Sequence, residues 1–179
     1  MAPFGFLVPL PMVNQMGKLG SSRDRPGRPA EEKDPIVITT ADEELLRRAI
    51  AIAAHAVVLG DAPYGSLLAA PDGTILVEAH NTVRRDNDIS AHPELKLARW
   101  AARELDPDTA ARTTMYTSCE PCGMCAGGIV RSGLGRVVYA LATEQFIALH
   151  PAGAWPAVPQ DGPALFDEAR APIAAYYRI

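Results

Sequence analysis

An excess of basic charge is missing from this sequence. Its 17 Lys and Arg are outnumbered by 21 Asp and Glu, a formal net charge of −4, whereas folds that bind nucleic acid usually carry a basic footprint. A nucleic-acid substrate is therefore disfavoured. Cysteine is equally sparse, with Cys119, Cys122 and Cys125 as the whole complement. Three thiols cannot all pair within one chain, and their Cys-x-x-Cys-x-x-Cys spacing reads as metal ligands or redox thiols in a reducing, cytoplasmic setting. A long apolar run is absent too. Met1 to Met16 is apolar but broken by Pro3, Pro9 and Pro11, lacks a basic start and is far too short for a bilayer. Neither a signal peptide nor a membrane-spanning helix is expected.

What is present suits one globular core. With 179 residues and 48% hydrophobic composition, a single domain is the prior. Residues 1–34 differ from the rest, since Gly17 to Ala30 is rich in Gly, Ser, Arg and Pro. They are expected to form a flexible tail, with Lys18, Arg23, Arg25 and Arg28 solvated. The domain is expected over 35–179.

Local signals then order the elements. Thr40 followed by Glu43 predicts a capping box, and a helix to about Leu59 with Leu46, Ile50, Ala53 and Val57 as its inner stripe and Gly60 as its stop. His55 has no partner at ligand spacing. Pro71-Asp-Gly73 between Gly65–Ala70 and Ile75–Ala79 predicts a hairpin, which leaves Asn81 at a strand end, able to grip a heterocycle edge or merely to form a turn. Pro93 favours the first helical position, so His92 is expected as the cap and Glu94 in the first turn. Leu95, Ala98, Ala102 and Leu105 form the expected stripe before Asp106-Pro107. Thr113–Thr117 has strand composition. It leads into Ser118-Cys-Glu-Pro-Cys122 and a helix expected from Pro121 to about Arg131.

Cys122 and Cys125 are three apart at the start of that helix, so they face one way and sit in a field that favours thiolate. His92 is the best third ligand for Zn2+. Three readings compete: a catalytic zinc on His92, Cys122 and Cys125 with Glu94 beside a water; a closed structural Cys3His site that adds Cys119; and a Cys-Gly-Met-Cys redox pair. The first leads because it alone gives Glu94 a role.

His92-Pro-Glu94, followed about thirty residues later by Pro121-Cys-Gly-Met-Cys125, is the signature of zinc nucleobase deaminases. From about Ala41 to Leu141 the chain resembles the cytidine-deaminase-like superfamily, especially its guanine deaminase and tRNA adenosine deaminase branch. Asp61-Ala-Pro-Tyr-Gly-Ser66 is similar to the Pro-Phe-Gly strand entry of that family, Glu78-Ala-His-Asn81 to its substrate-gripping Asn, and Asp88-Ile-Ser-Ala-His92 to its Asp-Pro-Thr-Ala-His. Two positions depart: Pro93 stands where Ala is more frequent, and Tyr64 where Phe is common. The resemblance implies an α/β fold, a three-layer α/β/α sandwich with a central mixed five-stranded sheet, and a dimer or larger assembly. It also implies one Zn2+ per chain on His92, Cys122 and Cys125, Glu94 as the catalytic residue, and a substrate-binding set of Asn81, Tyr64, Ala91, His92 and Glu120.

The expected reaction is hydrolytic deamination of a small aminated heterocycle, guanine-type preferred, with Glu94 carrying protons to the ring and to the leaving amine. Deamination of tRNA adenosine is the alternative, and a non-catalytic Cys3His protein the alternative of another class. Beyond a strand at Arg136–Leu141, a short helix over Thr143–His150 is expected to close over the cavity, with His150 equally suited to be a loop residue before Pro151. Trp155–Pro159 reads as a restricted loop, and Gly162–Ala169 as the start of an acidic helix like that near the end of guanine-deaminase chains. Tyr176 and Tyr177 are expected either to complete a pocket or to pack.

Overall fold

In the computed structural model, which describes residues 37–150, 159–161 and 164–179, the chain starts helix α1 (Thr40–Val58) one residue earlier than expected. Thr39 is the N-cap and Asp42 completes the capping box. The shift has a tertiary cause. Asp42 is 3% exposed and accepts hydrogen bonds from Tyr116 and Arg136 as well as from Thr39, so the capping box forms around an acid that is also bonded by the sheet.

The inner face of α1 also differs from the expected stripe. Ala49, Ile52, Ala53 and Ala56 are buried, while Ile50 and Val57 are 48% and 54% exposed. Strand β1 (Gly65–Ala69) supplies the reason. A Cβ on Gly65 would run into the backbone of Ala49, Ile52 and Ala53, so helix and strand approach closely only along the small-residue face of α1. Gly60, in the left-handed region at φ +85°, then turns the chain toward the strand, as predicted.

Strands β2 (Ile75–His80), β3 (Thr114–Cys119) and β4 (Arg136–Leu141) complete a mixed sheet of order β2-β1-β3-β4. β1 is antiparallel to both β2 and β3, and β3 is parallel to β4. Among the described residues the sheet has four strands, where five were expected. After β4 the described chain continues instead into helices α6 (Thr143–Leu149) and α7 (Phe166–Tyr177).

Alternation along the central strands divides the core. Leu67, Ala69, Tyr116 and Val138 pack with Ile52 on the α1 side. Leu68 and Met115 pack with Leu97, Ala98, Ala101 and Ile129, which belong to α3 (Pro93–Glu104) and α5 (Gly123–Ser132). The result is three layers. α3 buries Glu94, Leu97, Ala98 and Ala101, and Ala102, assigned inward from the periodicity, is exposed. Short helices α2 (Val83–Asp86) and α4 (Pro107–Arg112) lie in the connections; the latter uses Asp106 as its N-cap where only a helix end was expected.

Among the described residues no helix is long and apolar enough to cross a membrane. The expectations for residues 1–34, and for the loop and helix start within 151–158 and 162–163, lie outside the described residues.

Candidate active site

Two helix starts meet at the end of the sheet. His92 has extended backbone (φ −74°, ψ 141°) as the N-cap of α3, with Pro93 first in the helix and Glu94 next. This is the expected arrangement, since proline's missing N–H costs nothing at that position. Cys122 is the N-cap of α5, which begins at Gly123 and not at Pro121, and Cys125 lies in the first turn. α3 and α5 are held side by side by a glycine: a Cβ on Gly128 would come to 2.6 Å from Leu95 Cδ1.

His92 Nδ1 is 3.8 Å from Cys122 Sγ and 3.6 Å from Cys125 Sγ, and the three donor atoms all lie within 4.8 Å of one another. Zinc bonds of ~2.0–2.1 Å to nitrogen and ~2.3 Å to sulfur at tetrahedral angles put N and S about 3.6 Å apart. The donor set fits Zn2+. Cys119 is buried at the end of β3 and stays outside this group, which removes the geometric basis for a closed Cys3His site. By protein groups alone, burial and then the Glu94 carboxylate push the Cys125 thiol well above its ordinary range. A cation held by these donors would make the Cys125 thiolate favourable.

Glu94 is 4% exposed. Its Oε1 accepts a hydrogen bond from the Thr117 hydroxyl at 3.1 Å, and its Oε2 lies 3.7 Å from Cys125 Sγ. Burial raises its pKa above the usual carboxylate value, and these hydrogen bonds and the nearby His92 offset part of the rise. A carboxyl with a raised pKa beside a metal cluster is poised to take and return protons.

A cavity of about 900 Å³ opens onto this group, with Tyr64, Asn81, Arg84, Glu120, Phe146 and His150 among its walls. Asn81 is 1% exposed just beyond β2. Its Oδ1 accepts from Val83 N–H at 3.1 Å, leaving the amide NH2 as the free donor end. Asp61 anchors the same segment by accepting from the N–H groups of Arg84 and Arg85. Tyr64 meets Phe146 edge-on at 6.3 Å, and burial, then Cys119 and Glu94, raises its phenol pKa. Glu120 lines the cavity while its Oε2 accepts from Thr143 N–H at 2.8 Å, tying down the start of α6. Ala91 is buried, its carbonyl accepting from Thr82 N–H, and is not among the lining residues.

The short helix expected over Thr143–His150 is α6, which ends at Leu149; its Phe146 and Ile147 line the cavity, as does His150 at its C-cap. Tyr176 and Tyr177 do not: they are 80% and 64% exposed and meet each other edge-on. His55 lies away from the cluster, edge-on to His80. The residues that sequence reasoning passed over are Ser66 and Thr117, read only as strand composition. Their signal was a hydroxyl side chain two residues from an inward apolar one in each strand, Ser66 from Leu68 and Thr117 from Met115.

Residues 39–141 match the family described as the cytidine and deoxycytidylate deaminase zinc-binding region. The chain belongs to this family. Within the deaminase family it is similar to the guanine deaminase of Bacillus subtilis (strain 168), 37% identical over 99 residues that make up 55% of this chain and 63% of the relative. It is also similar to a probable cytosine deaminase of Schizosaccharomyces pombe, 32% identical over 63% of this chain and 67% of the relative. A tRNA-specific adenosine deaminase of Haemophilus influenzae is 34% identical over 55% and 57%. The chain therefore spans less than two thirds of the first of these relatives. In three dimensions it resembles the X-ray structure of the Bacillus subtilis guanine deaminase, with a TM-score of 0.60, 29% identity, and coverage of 76% of this chain and 94% of that one. The mixed sheet and its flanking helices are thus the cytidine-deaminase-like fold, and the family's zinc-binding region contains His92, Cys122 and Cys125.

Proposed function

We propose that the chain is a zinc-dependent hydrolytic deaminase of a small aminated heterocycle, with a guanine-type base or nucleoside preferred. The observation that carries the reading is the buried carboxylate of Glu94 beside the His92, Cys122 and Cys125 donors at the wall of one cavity. A zinc ion on those donors supplies a Lewis acid that acidifies water at neutral pH. Glu94 takes a proton from the attacking water and delivers it to the ring nitrogen beside the amine-bearing carbon. It passes the second proton to the amine, which leaves as ammonia while the water oxygen stays on the carbon. Asn81 and Tyr64 hold the heterocycle edge, and α6 with Phe146 limits the entry of bulk water.

Guanine-type substrates lead because the relative of that name is also the one whose solved structure this chain follows over 94% of its length. The reading includes a catalytic domain over 35–179 with residues 1–34 as a tail, a homodimer and a cytoplasmic location. Ammonia release across free bases, nucleosides, other aminated heterocycles and tRNA tests it. Glu94→Gln is expected to keep zinc and lose about 10²–10⁴-fold in turnover, the range of general acid–base catalysis. A variant that turned over normally would remove Glu94 from the mechanism. Strong, salt-dependent tRNA binding without ammonia from any free base would move the assignment to tRNA adenosine.

A further inference from the structure

The sheet carries two buried hydroxyls that the deamination scheme does not use. Ser66 of β1 and Thr117 of β3 are directly opposite in the antiparallel ladder. By strand alternation they share a face with Leu68 and Met115, the face that packs on α3 and α5. Both are fully buried at 0% exposure. The Ser66 hydroxyl donates to Thr117 Oγ1 at 2.9 Å, and the Thr117 hydroxyl donates to Glu94 Oε1 at 3.1 Å.

A hydroxyl has one proton, so the direction of this chain matters. Thr117 accepts from Ser66 and spends its own proton on Glu94. The β-branched Thr117 side chain has few χ1 rotamers, and no water competes at a fully buried site. Oε1 of Glu94 is thereby held as an acceptor. Oε2 lies on the Cys125 side.

We propose that Thr117 is a positioning residue for Glu94, itself oriented by Ser66, so that the Glu94 carboxylate is anchored through Oε1 at the wall of the cavity. This rests on the deaminase reading. The chain of hydroxyls is an anchor and not a path to solvent, because it ends at the buried Ser66. Without it the carboxylate swings about its side-chain torsions, and misplacement of ~1 Å costs on the order of 10²-fold in rate without weakening substrate binding.

The test uses the zinc-loaded full chain and the best substrate from the ammonia screen. Thr117→Val, close to isosteric but without the donor, is expected to lower kcat by about 10–100-fold. Zinc content and KM are expected to stay unchanged, and Thr117→Ser to recover most of the lost kcat. In the wild type the buried Thr117 hydroxyl proton is expected as a slowly exchanging NMR resonance that Glu94→Ala abolishes. Normal kcat in Thr117→Val, while Glu94→Gln is inactive, overturns the positioning role and leaves the deaminase reading standing. If no aminated heterocycle is deaminated by the wild type, the deaminase reading fails and the positioning role falls with it. Should Thr117→Val not fold, Ser66→Ala decides: a smaller drop in kcat at constant KM supports the role, and an unchanged kcat overturns it.

Discussion

Nδ1 of His92 lies 3.6 Å from Sγ of Cys125, although 33 residues separate them in the chain. The contact depends on two helices beginning side by side at one end of the sheet, and Gly128 allows it by letting α5 lie against Leu95 and Ala98 of α3.

The donor geometry makes a prediction about metal. One zinc per chain is expected for the wild type and for Cys119→Ala, because Cys119 stands outside the donor group. Cys125→Ser is expected to lose the metal, since removing one of three protein ligands leaves a pair that holds zinc poorly. Metal analysis of the purified variants decides. Loss of zinc in Cys119→Ala would bring back the closed site.

Asp42 links acid stability to the sheet. Two bonds from Arg136, at 2.7 and 3.1 Å, hold its carboxyl far below the ordinary carboxylate range, against burial, which acts to raise it. A depressed folded pKa stabilises the fold above the unfolded value near ~3.9 and loses that contribution as pH falls toward the folded pKa. Denaturant midpoints are expected to drop steadily below about pH 5. Asp42→Asn is expected to cost about 1–3 kcal/mol at neutral pH, the size of a charged hydrogen bond, and to flatten that acid slope. An unchanged slope would place the acid sensitivity elsewhere.

Gly65 is expected to tolerate no side chain. A Cβ there meets the Ala49 and Ala53 backbone and, at 2.8 Å, the Ile52 carbonyl carbon, none of which moves without moving α1. Gly65→Ala is expected to destabilise the fold by about 1–3 kcal/mol, as overpacking does. Thermal unfolding would show this as a fall of ~2–4 °C per kcal/mol. Because Tyr64 precedes Gly65 at the cavity wall, KM is expected to rise as well. A variant as stable as the wild type would show that α1 can withdraw from β1.

Chain-local features were legible in advance. The hairpin about Pro71-Asp-Gly73, the His92 cap with Pro93 and the strand leading into the cysteines each rest on short-range rules. Helix faces were not legible in the same way. Of the stripe Leu46, Ile50, Ala53, Val57, the first and third do face the core, whereas Ile50 and Val57 are exposed and Ala49, Ile52 and Ala56 are buried instead, because close approach at Gly65 fixes which face of α1 meets the sheet. Likewise Thr40 and Glu43 satisfied a capping pattern as well as Thr39 and Asp42 do. Distant Arg136 and Tyr116 selected the second pair.

By itself, then, the sequence determined which atoms are available for chemistry: one imidazole, two thiols at helical spacing and a carboxylate beside the imidazole, with one helix start marked by Pro93. Ligand chemistry and backbone sterics act over a few residues, so they are written locally. Tertiary structure alone decided that Cys119 stays out of the donor group, that the described sheet has four strands, and that Thr117, bonded in turn by Ser66, reaches Glu94. Each of these depends on strand register and on how closely helices approach the sheet, and those are settled by packing between segments far apart in the chain.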